Sequence, residues 1–241
     1  GGTKSTIIAN YGVHPEAAGY STKIITSDFI YYTEKVVNAG GSNFIYIQGA
    51  VGTYTESQGA SNDGISGLNR LTSTMRYGEE IGYILLGMTE TEEYCKANIV
   101  DPKREAMADG SDDYTLWCED WVPAEEKIVE PILNIKHAEY LAPVENGVYK
   151  AFGKLSLANN VMYKDKKGNI TTSTEVGYME LGKDIKIILC PGETYAELIV
   201  GGGKMSTFAY RPACEIMAQD ENDEVIVFDL MNDALGYIMP D

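Results

Sequence analysis

The first 55 residues constrain the fold most, because two apolar segments there flank a helical one. Residues 5–11 are β-branched and apolar with no helical period, and they predict a buried strand that ends before Pro15. Asp28 can cap a helix over residues 29–38, and residues 43–48 predict a second strand. Strand, helix and strand in this order predict a βαβ unit within an α/β fold, a mixed sheet flanked by helices.

A histidine follows the first predicted strand directly, at the turn Tyr11-Gly12-Val13-His14-Pro15. The second predicted strand runs into the glycine turn of residues 49–55. Open α/β sheets bind their ligands at the carboxyl ends of their strands. We therefore expect a functional site at the strand tips, with His14 in it.

The remaining sequence predicts a single domain over residues 1–241, with residues 89–165 as a peripheral insertion. A helix is expected at about residues 71–88. Further strands are expected at residues 127–137, 175–181, 185–190 and 224–230. Because the chain opens abruptly on a core strand, we expect that its native protein has sequence before it.

Composition excludes several classes of protein. The formal charge of −17 argues against nucleic-acid binding, since phosphate would be repelled. No apolar run of 18 residues occurs, so no transmembrane segment is predicted. The four cysteines are far apart in the sequence, which excludes a zinc ribbon and leaves two disulfides or four free thiols open. The acidic balance fits a secreted or cell-surface protein, although many cytosolic proteins are equally acidic.

Three side chains that can bind metal follow predicted strands, each in a turn marked by glycine or proline. They are His14, Glu193 and Tyr237. Imidazole, carboxylate and phenolate are all ligands that Zn²⁺ accepts. Structural alternatives exist for each, namely a histidine fixed before proline, a carboxylate at a helix N-terminus and a packed aromatic ring. The pattern is compatible with a zinc site, and by itself it leaves these structural alternatives open.

Five short motifs, in order, resemble those of the neutral/alkaline non-lysosomal ceramidase family. The first three resemble its N-[FY]-x-x-H-P turn, its [IV]-S-x-D helix start and its Q-G-x-x-G-D turn, and the last two its P-G-E strand end and N-x-Y-x-x-Y-I segment. In this chain they lie at residues 10–15, 25–28, 48–53, 191–193 and 232–238.

The resemblance implies a zinc amidase that splits the N-acyl bond of ceramide into a sphingoid base and a fatty acid. His14, Glu193 and Tyr237 would then be zinc ligands, and Thr55 would take the place of the family's catalytic-turn serine. Asp28 and Asn10 would contact the zinc ligands and orient them, although Asp28 is explained at least equally well as a helix cap alone. The family also implies secretion, a lipid or small-molecule substrate and peripheral contact with membranes or lipid micelles.

The chain departs from the family at several points. The family's first zinc histidine and a substrate-binding arginine lie upstream of the N-[FY]-x-x-H-P turn, in a segment that this sequence lacks. The aspartate of the Q-G-x-x-G-D turn is Thr53 here, and His137 has no assigned role. Two alternatives therefore stay open: a non-catalytic module that binds lipid or glycan, and an amidase or esterase for a smaller soluble acyl compound.

Overall fold

A computed structural model describes residues 4–19, 22–53, 68–89, 127–155, 157, 162–202, 210–219 and 221–239. The chain divides into two compact units. The first comprises Gly1–Ile47 and Tyr54–Ile128, and the second comprises Gln48–Thr53 and Val129–Asp241. The predicted single domain with an insertion over residues 89–165 stays a prediction, because residues 90–126 lie outside the described part of the chain.

The first unit contains two strands and two helices: β1 (Thr6–Tyr11), α1 (Phe29–Ala39), β2 (Asn43–Gln48) and α2 (Leu68–Thr89). β1 and β2 are hydrogen-bonded neighbours. The Asn43 N–H donates to the Ser5 carbonyl at their beginnings, and the Asn10 side chain donates to the Ile47 carbonyl near their ends. The strands therefore run in the same direction, which confirms the predicted βαβ unit.

α1 and α2 approach closely because α2 presents two glycines to α1. The Thr33 hydroxyl donates to the carbonyl of Gly78 at 2.8 Å, which joins the helices by a buried hydrogen bond. A side chain at Gly78 would run into the Phe29 carbonyl oxygen, and one at Gly82 would lie 2.6 Å from Cβ of Val36. The sequence of α2 thus permits a helix pair that any larger residue at these positions would separate.

We expect Gly78→Ala to destabilise the protein by about 1–3 kcal/mol, the usual cost of forcing a methyl group into a packed interior. Backbone atoms of α1 occupy the space, so rotation of a side chain cannot relieve the clash. Urea denaturation followed by circular dichroism measures the change. Gly147→Ala is the control, because Gly147 is also helical and a Cβ there meets no atom within 4 Å. Equal stability of the two variants would contradict the predicted clash.

The second unit is built on a mixed sheet. Its five strands are β3 (Leu133–Pro143), β4 (Met162–Lys164), β5 (Ile170–Leu181), β6 (Ile185–Leu189) and β8 (Glu224–Phe228). Their order is β3-β5-β6-β8, with β4 also paired to β5. The β6–β8 pair is parallel and the other pairs are antiparallel. β3 lies at the end of this order, and Pro131 lies just before it, where a proline is compatible with an edge strand or a bulge.

Short elements complete the second unit. They are α3 (Gly147–Lys154), β7 (Glu193–Thr194), α4 (Ala196–Val200), α5 (Ala213–Met217) and β9 (Tyr237–Ile238). Cys190 packs with Ile199 and Val227 in a small core, as its position in an apolar run predicts. Cys190 and Cys214 are free thiols, and burial raises the pKa of the Cys190 thiol. Sheets with flanking helices confirm the predicted α/β class.

Candidate metal centre at the strand ends

The structure brings Glu193 and Tyr237 side by side. They are directly paired in the parallel ladder between β7 and β9, where the Glu193 N–H donates to the carbonyl of Gly236 at 2.9 Å. Neighbouring strands lie about 4.8 Å apart, so paired residues present their side chains next to each other. Glu193 is half-buried and Tyr237 is exposed. A carboxylate and a phenol distant in the sequence are thus adjacent in the fold.

Backbone contacts between glycines make this pairing possible. Pro191 and Gly192 follow β6, and the Leu235 N–H donates to the Pro191 carbonyl at 2.8 Å. A side chain at Gly192 would lie 2.5 Å from the carbonyl oxygen of Gly236. The absence of a side chain at Gly192 therefore allows the segment that carries Tyr237 to pack against the Pro191-Gly192-Glu193 motif.

The glycine turn of residues 49–53 packs on the strand that carries Glu193. The Gly52 N–H donates to the carbonyl of Thr194 at 2.9 Å, and the Thr53 hydroxyl accepts from the Ala196 N–H at 2.8 Å. The glycine turn therefore contacts the residues that directly follow the Pro191-Gly192-Glu193 motif. Thr55, the predicted catalytic residue of this turn, lies outside the described residues.

Asp229 is buried beneath these segments, with 1% of its surface exposed. Its Oδ2 accepts from the N–H groups of Thr194 at 2.7 Å and Val51 at 3.1 Å, and its own N–H donates to the Gln48 carbonyl. One carboxylate thus joins the end of β8, the glycine turn and β7. No sequence pattern predicted this role; the only signal was an acidic residue near the end of the apolar strand predicted at residues 224–230.

Burial raises the pKa of the Asp229 carboxyl, and the charge of Glu193 raises it further. The side chain and N–H of Thr194, with the N–H of Val51, oppose this rise. Within the described residues neither Oδ1 of Asp229 nor Oγ1 of Thr194 has a hydrogen bond of regular geometry, although the Thr194 side chain is close enough to the carboxyl to lower its pKa.

His14 lies in the first unit, whereas Glu193 and Tyr237 lie in the second. Its turn is held by hydrogen bonds: the Tyr46 hydroxyl donates to the carbonyl of Val13 at 3.0 Å, and the Glu16 N–H donates to the carbonyl of His14 at 2.9 Å. The side chain is partly buried. The role of His14 as a metal ligand stays a prediction.

Asp28 is the N-cap residue of α1 and also holds the segment after Pro15. Its Oδ1 accepts from the N–H groups of Phe29 at 2.8 Å and Ala17 at 3.0 Å, and its Oδ2 accepts from that of Ala18 at 2.7 Å. Asn10, by contrast, uses its amide to join β1 to β2. Both side chains have structural work in the first unit, and a supporting role toward a metal stays a prediction for both.

A second group of metal-binding side chains lies on the β3–β5 ladder. The ligand atoms of His137, Glu139 and Glu175 lie within 4.8 Å of one another, and Nδ1 of His137 is 3.1 Å from Oε2 of Glu175. The two-residue spacing of His137 and Glu139 places both on one face of a strand, and this was the only signal of the group in the sequence. Glu175 comes from another strand, and only the register adds it. The described residues therefore contain a candidate metal site.

The fold of the chain is similar to that of solved ceramidases. Neutral ceramidase from Pseudomonas aeruginosa matches with a TM-score of 0.53 and 11% identity over 98% of this chain. A ceramidase complexed with C2 matches with a TM-score of 0.51 and 9% identity over 97% of this chain. The chain spans only 38% and 40% of the lengths of these proteins. At such identities the likeness establishes the fold alone.

No protein-family model and no curated protein matches the sequence. In the described residues, no helix is long and apolar enough to cross a membrane.

Proposed function

We propose that this chain is part of a zinc-dependent hydrolase that cleaves N-acyl amide bonds, with ceramide-like lipids as its substrates. The pairing of Glu193 with Tyr237, the first residues of β7 and β9, carries the proposal. The fold, which is similar to that of ceramidases, and the five motifs that resemble that family support it. We also propose secretion or display at the cell surface, where such lipids are accessible.

Glu193, Tyr237 and His14 would hold the metal, because carboxylate, phenolate and imidazole together suit Zn²⁺. When bound, zinc polarises a carbonyl group and lowers the pKa of water to about 7. Asp229 keeps Glu193 in place through the neighbouring Thr194 N–H. Thr55 would donate a hydrogen bond to the oxygen on which charge develops during amide cleavage.

One observation favours a second candidate, a non-catalytic module that binds lipid or glycan. Thr53 replaces an aspartate of the ceramidase motif, and its hydroxyl accepts from the N–H of Ala196 at the start of α4. Thr53 therefore stabilises the turn but does not provide the carboxyl group of the aspartate that it replaces. An amidase or esterase for a smaller acyl compound is a variant of the main proposal, since no described residue is known to bind an acyl chain.

Metal analysis of Glu193→Gln and Tyr237→Phe tests the proposal, with His14→Ala added to test the third ligand. We expect each variant to lose one equivalent of zinc relative to the wild type. Hydrolysis of a fluorescent ceramide should fall by more than about 100-fold, since even residues that only support a ligand are worth 10–100-fold. Glu221→Gln is the control, because Glu221 is an exposed carboxylate in a turn.

The outcomes separate the candidates. Loss of zinc from these variants, together with ceramide hydrolysis by the wild type, supports the amidase. Zinc without hydrolysis, but with binding of ceramide vesicles, supports the binding module. If Glu193→Gln and Tyr237→Phe contain as much zinc as the wild type, the proposed metal centre is overturned.

A further inference from the structure

We infer that His137, Glu139 and Glu175 form a second divalent-cation site, suited to Zn²⁺ and separate from the centre proposed at Glu193 and Tyr237. The inference rests on the geometry of the β3–β5 ladder and does not depend on the proposed function.

The register of the two strands places all three side chains on one face. His137 and Glu139 are two residues apart on β3, and Glu139 is directly opposite Glu175 on β5. Ligands in a tetrahedral zinc site are roughly 3.4 Å apart, given bonds of about 2.1 Å. The nitrogen of His137 and the oxygen of Glu175 already meet this spacing at 3.1 Å, and the whole group lies within 4.8 Å. Small side-chain rotations would therefore complete the site.

Charge favours a cation at this place. Like charges directly opposite each other on antiparallel strands are destabilising, and Glu139 faces Glu175 in a chain with a formal charge of −17. The ion pair between His137 and Glu175 is a surface contact, since 63% of the histidine side chain is exposed, and such pairs contribute little. A divalent ion bound by all three groups neutralises both carboxylates, which a single imidazole cannot do. The mixed nitrogen and oxygen donors favour Zn²⁺ over Ca²⁺ or Mg²⁺.

Glu175 is also oriented by the segment that leads to Tyr237. The Asn232 side chain donates to Oε1 of Glu175 at 2.5 Å, and Oε2 is the oxygen that contacts His137. The hydroxyl of Thr174 donates to Asp233 at 2.7 Å, so two adjacent residues of β5 hold this segment. A cation on Glu175 would therefore also restrain the segment that contains Asn232 and Asp233.

The chain has two histidines, which makes a direct test possible. In ¹⁵N-labelled His14→Ala protein the only imidazole signals come from His137. We expect titration of the metal-free variant with ZnCl₂ to shift the signal of one ring nitrogen of His137 to that of a zinc-bound imidazole. Unchanged imidazole signals at saturating zinc would overturn the inference.

Calorimetric titration with ZnCl₂ then tests the two carboxylates in a Glu193→Gln/Tyr237→Phe background. In this background the metal centre proposed at Glu193, Tyr237 and His14, here called the strand-end centre, lacks two of its ligands. We expect about one equivalent of zinc to bind, with affinity at least tenfold weaker after Glu139→Gln or Glu175→Gln. Asn232→Ala should weaken binding by about 10–100-fold, as loss of a residue that orients a ligand does. Glu180→Gln is the matched control, because Glu180 lies on the same strand and is bonded to Asn134 on the other face.

This design keeps the two metal proposals apart. If zinc binds in the background variant and depends on His137, the second site exists whether or not Glu193 binds metal. If zinc binding in that background is unaffected by His137→Ala, the three residues are an ordinary surface ion pair with an adjacent carboxylate.

Discussion

Asp229→Ala should lower the free energy of unfolding by about 2–6 kcal/mol. The substitution removes the acceptor of two buried backbone N–H groups, those of Val51 and Thr194, and each buried donor left without a partner costs about 1–3 kcal/mol. The lost contacts join the glycine turn to the strand of Glu193, so zinc content should fall as well. Urea denaturation and metal analysis of the same protein measure both effects.

Asp165→Ala is the matched control. The Asp165 carboxylate also accepts from two backbone N–H groups, those of Lys167 and Asn169, but in an exposed hairpin turn. Water can replace it there, so we expect little change in stability and none in zinc content. An equal loss of stability in both variants would show that burial of the Asp229 carboxylate does not matter.

Asp229→Asn should be much milder than Asp229→Ala, because the amide oxygen can still accept from the two N–H groups. The pKa of Asp229 is raised by burial, so its stabilising contribution is complete below the pKa of the unfolded chain. That contribution is lost as the pH rises through the folded pKa. The stability of the metal-free wild type relative to Asp229→Asn should therefore decrease as the pH rises above the pKa of the unfolded chain, measured by urea denaturation at a series of pH values. A relative stability that increases with pH would contradict this sign.

Local patterns predicted the elements well where one stretch of sequence contains the whole signal. The strand that ends at Tyr11, the helix capped by Asp28 and the strand of residues 43–48 all occur as predicted. β3 was predicted at residues 127–137 but lies at Leu133–Pro143. Its residues are almost all exposed, so no alternation of buried and exposed side chains marked its ends.

The candidate sites were harder to predict because they depend on register between distant segments. Glu193 was selected because a glycine turn precedes it, but its pairing with Tyr237 depends on the β7–β9 ladder. The group that contains His137 depends on the 11-residue register of β3 and β5, for which the sequence carries no local signal. Asp229 was missed for the same reason, because its partners come from two other segments of the chain.

Gly52→Ala should disturb the strand-end centre through the contact of the glycine turn with β7. A methyl group at this position would lie 2.6 Å from the carbonyl oxygen of Glu193 and 2.7 Å from the carbonyl carbon of Thr194. These are backbone atoms, so the turn must move away from β7 and lose the hydrogen bond from Gly52 to Thr194. We expect a loss of about 1–3 kcal/mol or more, together with weaker zinc binding.

Gly41→Ala separates this clash from simple backbone strain. Gly41 has φ of +96°, which alanine adopts only with strain, yet a methyl group there meets no atom within 4 Å. Its variant should lose about 1 kcal/mol and keep its zinc. If Gly52→Ala also keeps its zinc at full affinity, contact between the glycine turn and the strand of Glu193 does not position a metal ligand, and the strand-end centre would depend on the β7–β9 pairing alone.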